Sequence, residues 1–224
     1  MYWVLFIGIA LLSYAVQMNL QRKFDKYSKV PVAGGLTGYE VAMRMLHENG
    51  INDVRVTCIE GQLTDHYDPV KKTVNLSTGV YNGRSITSAA VAAHECGHAV
   101  QHAVAYAPLS MRSSLVPVVQ FASQWVTWIL LAGMLLINHF PGIMLIGIIL
   151  FAATTLFSFV TLPVEIDASR RAVSWMNHSG IASGAAAEPA EQALRAAAYT
   201  YVVAALSSLG TLMYYVLIFM GRRN

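Results

Sequence analysis

Charge is scarce in this chain. Asp, Glu, Lys and Arg make up 12% of its 224 residues, about half the roughly 25% of an average soluble domain. With 55% hydrophobic residues, that excludes an ordinary soluble globule and reads as a membrane protein. Cysteine is scarcer still. Cys58 and Cys96 are the only two, too few for a disulfide framework, and no C-x-x-C is present to build a thiolate zinc site. No basic run interleaves with aromatics, and a net charge of +3 is modest, so nucleic acid is not an expected partner. None of the long apolar runs contains an Asp, and no internal repeat is visible.

Four apolar runs are present. Met1–Leu20 is uncharged and is followed by Gln21-Arg22-Lys23. Positive charge after the run, rather than before it, fits a retained transmembrane anchor better than a cleaved signal peptide. Leu115–Ile137 and Gly142–Leu162 flank the short break Asn138-His139-Phe140-Pro141. Each is near the roughly 20 residues a spanning helix needs, and together they predict a transmembrane hairpin, with His139 as a polar cap at its turn. Tyr199–Met220 is the fourth run. The expected partner of these segments is the lipid bilayer.

The polar part of the chain holds the chemistry. His94-Glu95-Cys96-Gly97-His98 is an H-E-x-x-H. On a helix, residues four apart lie about 40° from one another around the axis and one turn apart along it. His94 and His98 can therefore present two imidazoles to one Zn²⁺, while Glu95 acts as general base without being a ligand. Gly97 leaves room for a close neighbour. Ser85, Thr87 and Ser88 are N-cap candidates for this helix, which Pro108 is expected to end. Cys96 falls on the side away from the histidines and reads as a packing residue.

Upstream, Val30–Gly38 reads as a linker and Tyr39–Glu48 as an amphipathic helix burying Val41, Met45 and Leu46, ended by Asn49-Gly50. Val54–Ile59 and Lys72–Leu76 read as strands, the second with Val74 and Leu76 on one face. Gly61–Pro69 between them reads as a turn-rich loop carrying His66 and Tyr67. If the Lys72–Leu76 edge is open, it could bind an extended peptide through main-chain hydrogen bonds; a hairpin that only covers the helix is the alternative. Downstream, His178–Pro189 is rich in Gly, Ser and Ala and reads as a flexible connection, followed by a helix over Glu191–Ala198.

A catalytic zinc takes three protein ligands and keeps one position open. A third His ten residues after the first would mark one metalloprotease class, but Val104 stands there. His102 is a poor third ligand, because one straight helix cannot readily wrap three consecutive turns around an ion. Glu165 is the better one. It follows the third apolar run directly, and an even number of crossings separates it from His98, which returns it to the same side of the membrane. Ser169 shares its face at i, i+4, so Ser169 or Asp167 can orient a ligand. The side carrying the metal helix holds ten Lys and Arg between Arg22 and Arg112 and three more between Arg170 and Arg195, against Arg222 and Arg223 on the other. The positive-inside rule places that side in the cytoplasm.

His94–His98 with Gln101-His102, Thr64–Pro69, and Leu162-Pro163-Val164-Glu165 followed by Ala168-Ser169 resemble the YugP-like membrane zinc metallopeptidases of bacteria. The similarity covers nearly the whole chain. More distantly, the Glu165 segment is similar to the third-ligand segment of HtpX and the CAAX prenyl proteases, with Ser169 where those proteins carry an Asp. The resemblance implies a multi-pass protein of the bacterial inner membrane, a gluzincin endopeptidase with one Zn²⁺ and a protein or peptide substrate.

The expected fold is a mainly α membrane protein: about four transmembrane helices and a small α+β, zincin-like catalytic domain with a β-hairpin. Its divisions are an anchor over 1–20, a catalytic domain over 21–114, a transmembrane hairpin over 115–162, a third-ligand segment and connection over 163–198, and a last transmembrane helix over 199–221. The expected metal ligands are His94, His98 and Glu165, and the expected base is Glu95. His66, Tyr67, His102, Ser169 and His178 are candidates for orienting a ligand or stabilising the transition state, with no choice made among them. Two rival readings are a membrane scaffold with a structural metal and an intramembrane protease whose Ile86–Leu109 segment spans the bilayer.

Overall fold

A computed structural model describes residues 2–221. Arg222 and Arg223, the far-side charges of the orientation argument, lie outside the described residues. The chain runs α1 (Tyr2–Tyr27), α2 (Gly38–Glu48), β1 (Arg55–Ile59), β2 (His66–Asp68), β3 (Thr73–Ser77), α3 (Thr78–Tyr81), α4 (Ile86–Ala103), α5 (Ala107–Leu135), α6 (Pro141–His178) and α7 (Ala187–Gly221). Among the described residues, four helices are long and apolar enough to cross a membrane: α1, α5, α6 and α7. The helix α4 is not one of them, which removes the basis for an intramembrane Ile86–Leu109 span. The protein is a mainly α membrane protein with a small α+β part.

The spanning helices pack in the order α5–α6–α7–α1. The α5–α6 hairpin closes tightly because Gly133 has no side chain: a Cβ there would lie 2.6 Å from the Met144 Cα. Small residues give membrane helices the close approach that hydrophobic burial cannot drive in lipid. Val126, Leu130, Met144 and Ile148 are buried beside it, and His139 stands exposed at the turn. α1 joins α7 through an edge-to-face pair, Phe6 on Tyr214, with centroids 5.0 Å apart. At the domain end, the Tyr27 hydroxyl donates to Gln192 Oε1 at 2.7 Å.

The domain packs on the membrane bundle through α4. Ser85 caps α4, accepting from the Ser88 N–H at 3.1 Å. Thr37 and Glu40 form a capping box at the start of α2, and Gly50 takes φ +71° after the Asn49 cap. Val41, Met45 and Leu46 of α2 are buried as expected, each contributing roughly 1.5–3 kcal/mol by leaving water. α2 lies against one side of α4 and α6 against the other. Alanines 89, 90, 92 and 93 are buried in α4 and keep its girth small enough for both neighbours.

The sheet departs from the expected hairpin. The strand order is β1-β3-β2, with β1 parallel and β2 antiparallel to β3. A three-residue strand thus forms inside the stretch read as a loop, and it makes the hairpin with β3. Val74 and Leu76 are buried, but β3 is central and has no free edge. The open edge near α4 belongs to β2, so the peptide-binding edge expected at Lys72–Leu76 is not available there.

Three boundaries differ for physical reasons. Pro108 does not terminate α4. That helix ends at Ala103, the chain turns through Ala105 at φ +50°, and Pro108 sits in the first turn of α5, where its missing N–H costs nothing. The third apolar run does not stop at Leu162: α6 continues through Pro163 to His178 as one helix. The His178–Pro189 connection is short and anchored, with Ile181 and Ala182 buried in the domain core and α7 already begun at Ala187.

Candidate metal centre

α4 and α6 meet where Gly97 faces Ala168. A Cβ at Gly97 would lie 2.7 Å from the Ala168 carbonyl oxygen and 3.1 Å from its Cα. The glycine therefore lets the α6 backbone touch α4 within the H-E-x-x-H, and Glu165 reaches the histidines from one turn away. His94 Nε2 stands 3.2 Å and His98 Nε2 3.7 Å from Glu165 Oε2. The two imidazoles lie edge to face, 4.8 Å between centroids. One ligand atom from each of the three residues falls within 4.8 Å of the others, so the group could hold a metal ion. Two imidazole nitrogens and one carboxylate match the donor set of a zinc site with an open position.

The opposite ring nitrogens are held. The Ser169 hydroxyl lies 3.1 Å from His94 Nδ1, and Gln101 Oε1 lies 3.0 Å from His98 Nδ1. Gln101 is fully buried, and its amide donates to the Val164 carbonyl and to Asp167 Oδ2, both at 2.8 Å. Because both amide protons have acceptors, Oε1 must face His98. The proton then sits on Nδ1, and Nε2 is left as a lone pair for a metal. Asp167 is itself held by Arg171 Nε at 2.6 Å. Replacing Gln101 with Leu should weaken zinc binding by about 10–100-fold without removing a ligand. Competition against a chromophoric chelator would measure it, and unchanged affinity would show that the tautomer is set elsewhere.

Burial disfavours protonated His98, but the hydrogen bond and charge of Glu165, with Glu95 and Gln101, outweigh it and raise its pKa above the ordinary imidazole value. In the metal-free protein, protons compete for this ligand at a higher pH than for a free histidine. Cys96 behaves differently. It is buried against α2, its thiol donates to the Ala42 carbonyl at 3.6 Å, and burial pushes its pKa up, which makes it an inert packing group.

Glu95 is 8% exposed and accepts no hydrogen bond among the described residues. It lines two cavities at once. One, of about 280 Å³, runs past His66, Tyr67, Leu109, Val116 and Phe157. The other, of about 580 Å³, runs between α1, α7 and the 61–65 loop. They meet at His94 and Glu95, giving a cleft that extends to both sides of the candidate ligands.

His66 and Tyr67 line this cleft, but their polar atoms are engaged. His66 donates from Nδ1 to the Thr64 carbonyl at 2.8 Å, and Asn75 Nδ2 stands 3.1 Å from its Nε2. The Tyr67 hydroxyl lies 2.9 Å from His102 Nδ1. His102 thus steadies Tyr67 from the exposed end of α4 and is outside the ligand cluster. His178 is not at the site. α6 carries it 13 residues beyond Glu165, about 20 Å along the axis, where it donates to the Ser174 carbonyl at 2.7 Å and lines a groove with Met45 and Asn49.

Two residues were not anticipated. Arg112 of α5 places a guanidinium nitrogen 3.3 Å from Glu165 Oε1, so one carboxylate oxygen faces the cation and the other faces the histidines. Tyr201 of α7 lines the same cleft with Glu165. A basic residue at the head of a spanning run reads as an interfacial anchor, and a Tyr inside such a run reads as filler. Only the folded arrangement brings both to Glu165.

No solved structure matches this chain. The "Putative membrane protease YugP" of Bacillus subtilis (strain 168) is 44% identical over 222 residues, covering 98% of either sequence. A match to the family described as "Putative neutral zinc metallopeptidase" spans residues 2–220. That match runs through α1, α4 and α6 alike, and the chain belongs to the family described as "Putative neutral zinc metallopeptidase".

Proposed function

We propose that the protein is a zinc-dependent endopeptidase of the bacterial inner membrane, its catalytic domain on the cytoplasmic side. The observation that carries this reading is the convergence of His94, His98 and Glu165 beside an unengaged Glu95 in a cleft open at both ends. An exopeptidase site closes one end on a chain terminus; two arms accommodate substrate on either side of the cut.

Zinc held by the three residues supplies Lewis acidity toward water and toward a peptide carbonyl at neutral pH. Glu95 takes a proton from the attacking water and passes it to the leaving amine. Arg112 and Tyr201 bring N–H and O–H donors to the same cleft, where they can meet developing negative charge on the scissile oxygen. The unpaired edge of β2 runs beside the cleft and suits an extended substrate strand.

Depth narrows the substrate. Glu165 lies 24 residues into α6, about 36 Å from its start, against a hydrocarbon thickness of roughly 30 Å. The candidate ligands thus sit just past the membrane edge. Phe157, two turns earlier, carries the cleft below it. Segments adjoining a membrane span reach such a site directly.

The test uses full-length protein purified in detergent, loaded with zinc or stripped by chelator, and incubated with an unfolded protein. Mass spectrometry should find internal cuts that vanish on stripping and return with zinc. Cleavage indifferent to the chelator, or none in the zinc-loaded protein, would overturn the reading.

A further inference from the structure

We propose that the groove between α6 and α7 binds a phospholipid with an ethanolamine headgroup drawn from the surrounding bilayer. The groove encloses about 550 Å³. Its wall is apolar, formed by Ile166 and Val173 of α6 and by Leu194, Ala198 and Val202 of α7. Arg170, Arg195 and Glu191 stand along it.

The other basic residues near α6 are committed: Arg171 pairs with Asp167 at 2.6 Å and Arg112 with Glu165 at 3.3 Å. Arg170 has no hydrogen bond or ion pair among the described residues. Among the described residues, the Arg195 guanidinium engages only Tyr199, through Nε at 3.3 Å and over the ring at 5.7 Å. Glu191 stands one turn from Arg195 on the same helix, yet forms no ion pair with it. Two cations and one anion left unmatched along an apolar slot complement a headgroup that carries a phosphate and an ammonium.

Height in the membrane agrees. Val202 lies 19 residues from the end of α7, about 29 Å, and Arg195 lies 26 residues from it, about 39 Å. Across a hydrocarbon core of roughly 30 Å, Val202 falls at the near boundary and Arg195 just beyond it. Arg170 lies about 44 Å from the start of α6, and a long basic side chain there can extend toward the membrane. The phosphate lies between the two guanidiniums, the ammonium meets Glu191, and an acyl chain descends past Ile166 and Val202 into the bilayer. Ser169, whose hydroxyl holds His94, also lines the groove, so the lipid packs against the helix face that backs the candidate metal centre. The inference does not depend on peptide cleavage.

The test is native mass spectrometry of the full-length protein released from mixed micelles with equal phosphatidylethanolamine and phosphatidylglycerol. Wild type should retain phosphatidylethanolamine as its dominant adduct. The Arg170→Ala, Arg195→Ala double variant should lose at least about tenfold of that adduct, the scale of a lost charged contact. Glu191→Gln should lose the preference for the amine while still holding lipid. All three positions are exposed, and unchanged zinc content would verify that the variants fold. Equal adducts in wild type and the double variant, or a wild type that does not discriminate between the lipids, would overturn the proposal.

Discussion

Glu95→Gln should keep its zinc and lose peptide cleavage by roughly 10²–10⁴-fold, the usual range for removing a general base. The substitution is isosteric. The Glu95 carboxylate accepts no hydrogen bond among the described residues and is not one of the three clustered ligands, so neither folding nor metal content should change. What disappears is the carboxylate that faces both arms of the cleft. Cleavage of an unfolded protein by mass spectrometry, with zinc determined on the same sample, separates the possibilities. Equal cleavage by wild type and variant would identify a contaminating protease and sink Glu95 as the base. Loss of cleavage together with loss of zinc would mean that Glu95 supports the metal rather than the proton transfer.

Gly97→Ala should weaken both the fold and the metal site. In an isolated helix the change would stabilise by about 1 kcal/mol. Here the added methyl meets Ala168 backbone at 2.7 and 3.1 Å, and backbone cannot rotate aside as a side-chain tip can. α6 must move off α4, at a cost of about 1–3 kcal/mol for overpacking. Glu165 and Ser169 ride on that helix, so zinc affinity should fall with the unfolding midpoint. Tighter zinc binding or a raised midpoint would show that α6 does not rest on this glycine.

The sequence discloses contacts made along one helix better than contacts made across several. The His94–His98 spacing, the Ser85 cap and the buried face of α2 all follow from 3.6-residue periodicity. Glu165 was reachable because parity of membrane crossings is a topological constraint that survives ignorance of angles. Proline was ambiguous: the same residue that ends one helix suits the first turn of the next, as Pro108 does, and lipid tolerates one inside a span, as with Pro117 of α5. β2 was hidden because three residues carry no periodicity. The parallel β1–β3 pairing was hidden because register between distant strands is set by packing. Gln101 looked like a polar residue on an alanine-rich helix, and its part in fixing His98 emerges only when Val164 and Asp167 stand opposite.

The continuity of α6 through Pro163 bears on when the candidate metal centre can be completed. Two of the candidate ligands are made early and the third only after the chain has crossed the membrane and returned. A nascent chain, or one whose hairpin has failed to insert, carries a histidine pair and a base but lacks the carboxylate that completes the centre. On the proposed reading, a fragment ending before α6 would lack one of the three metal ligands and could not cleave peptides. On that reading, competence would wait until synthesis and membrane integration are nearly finished.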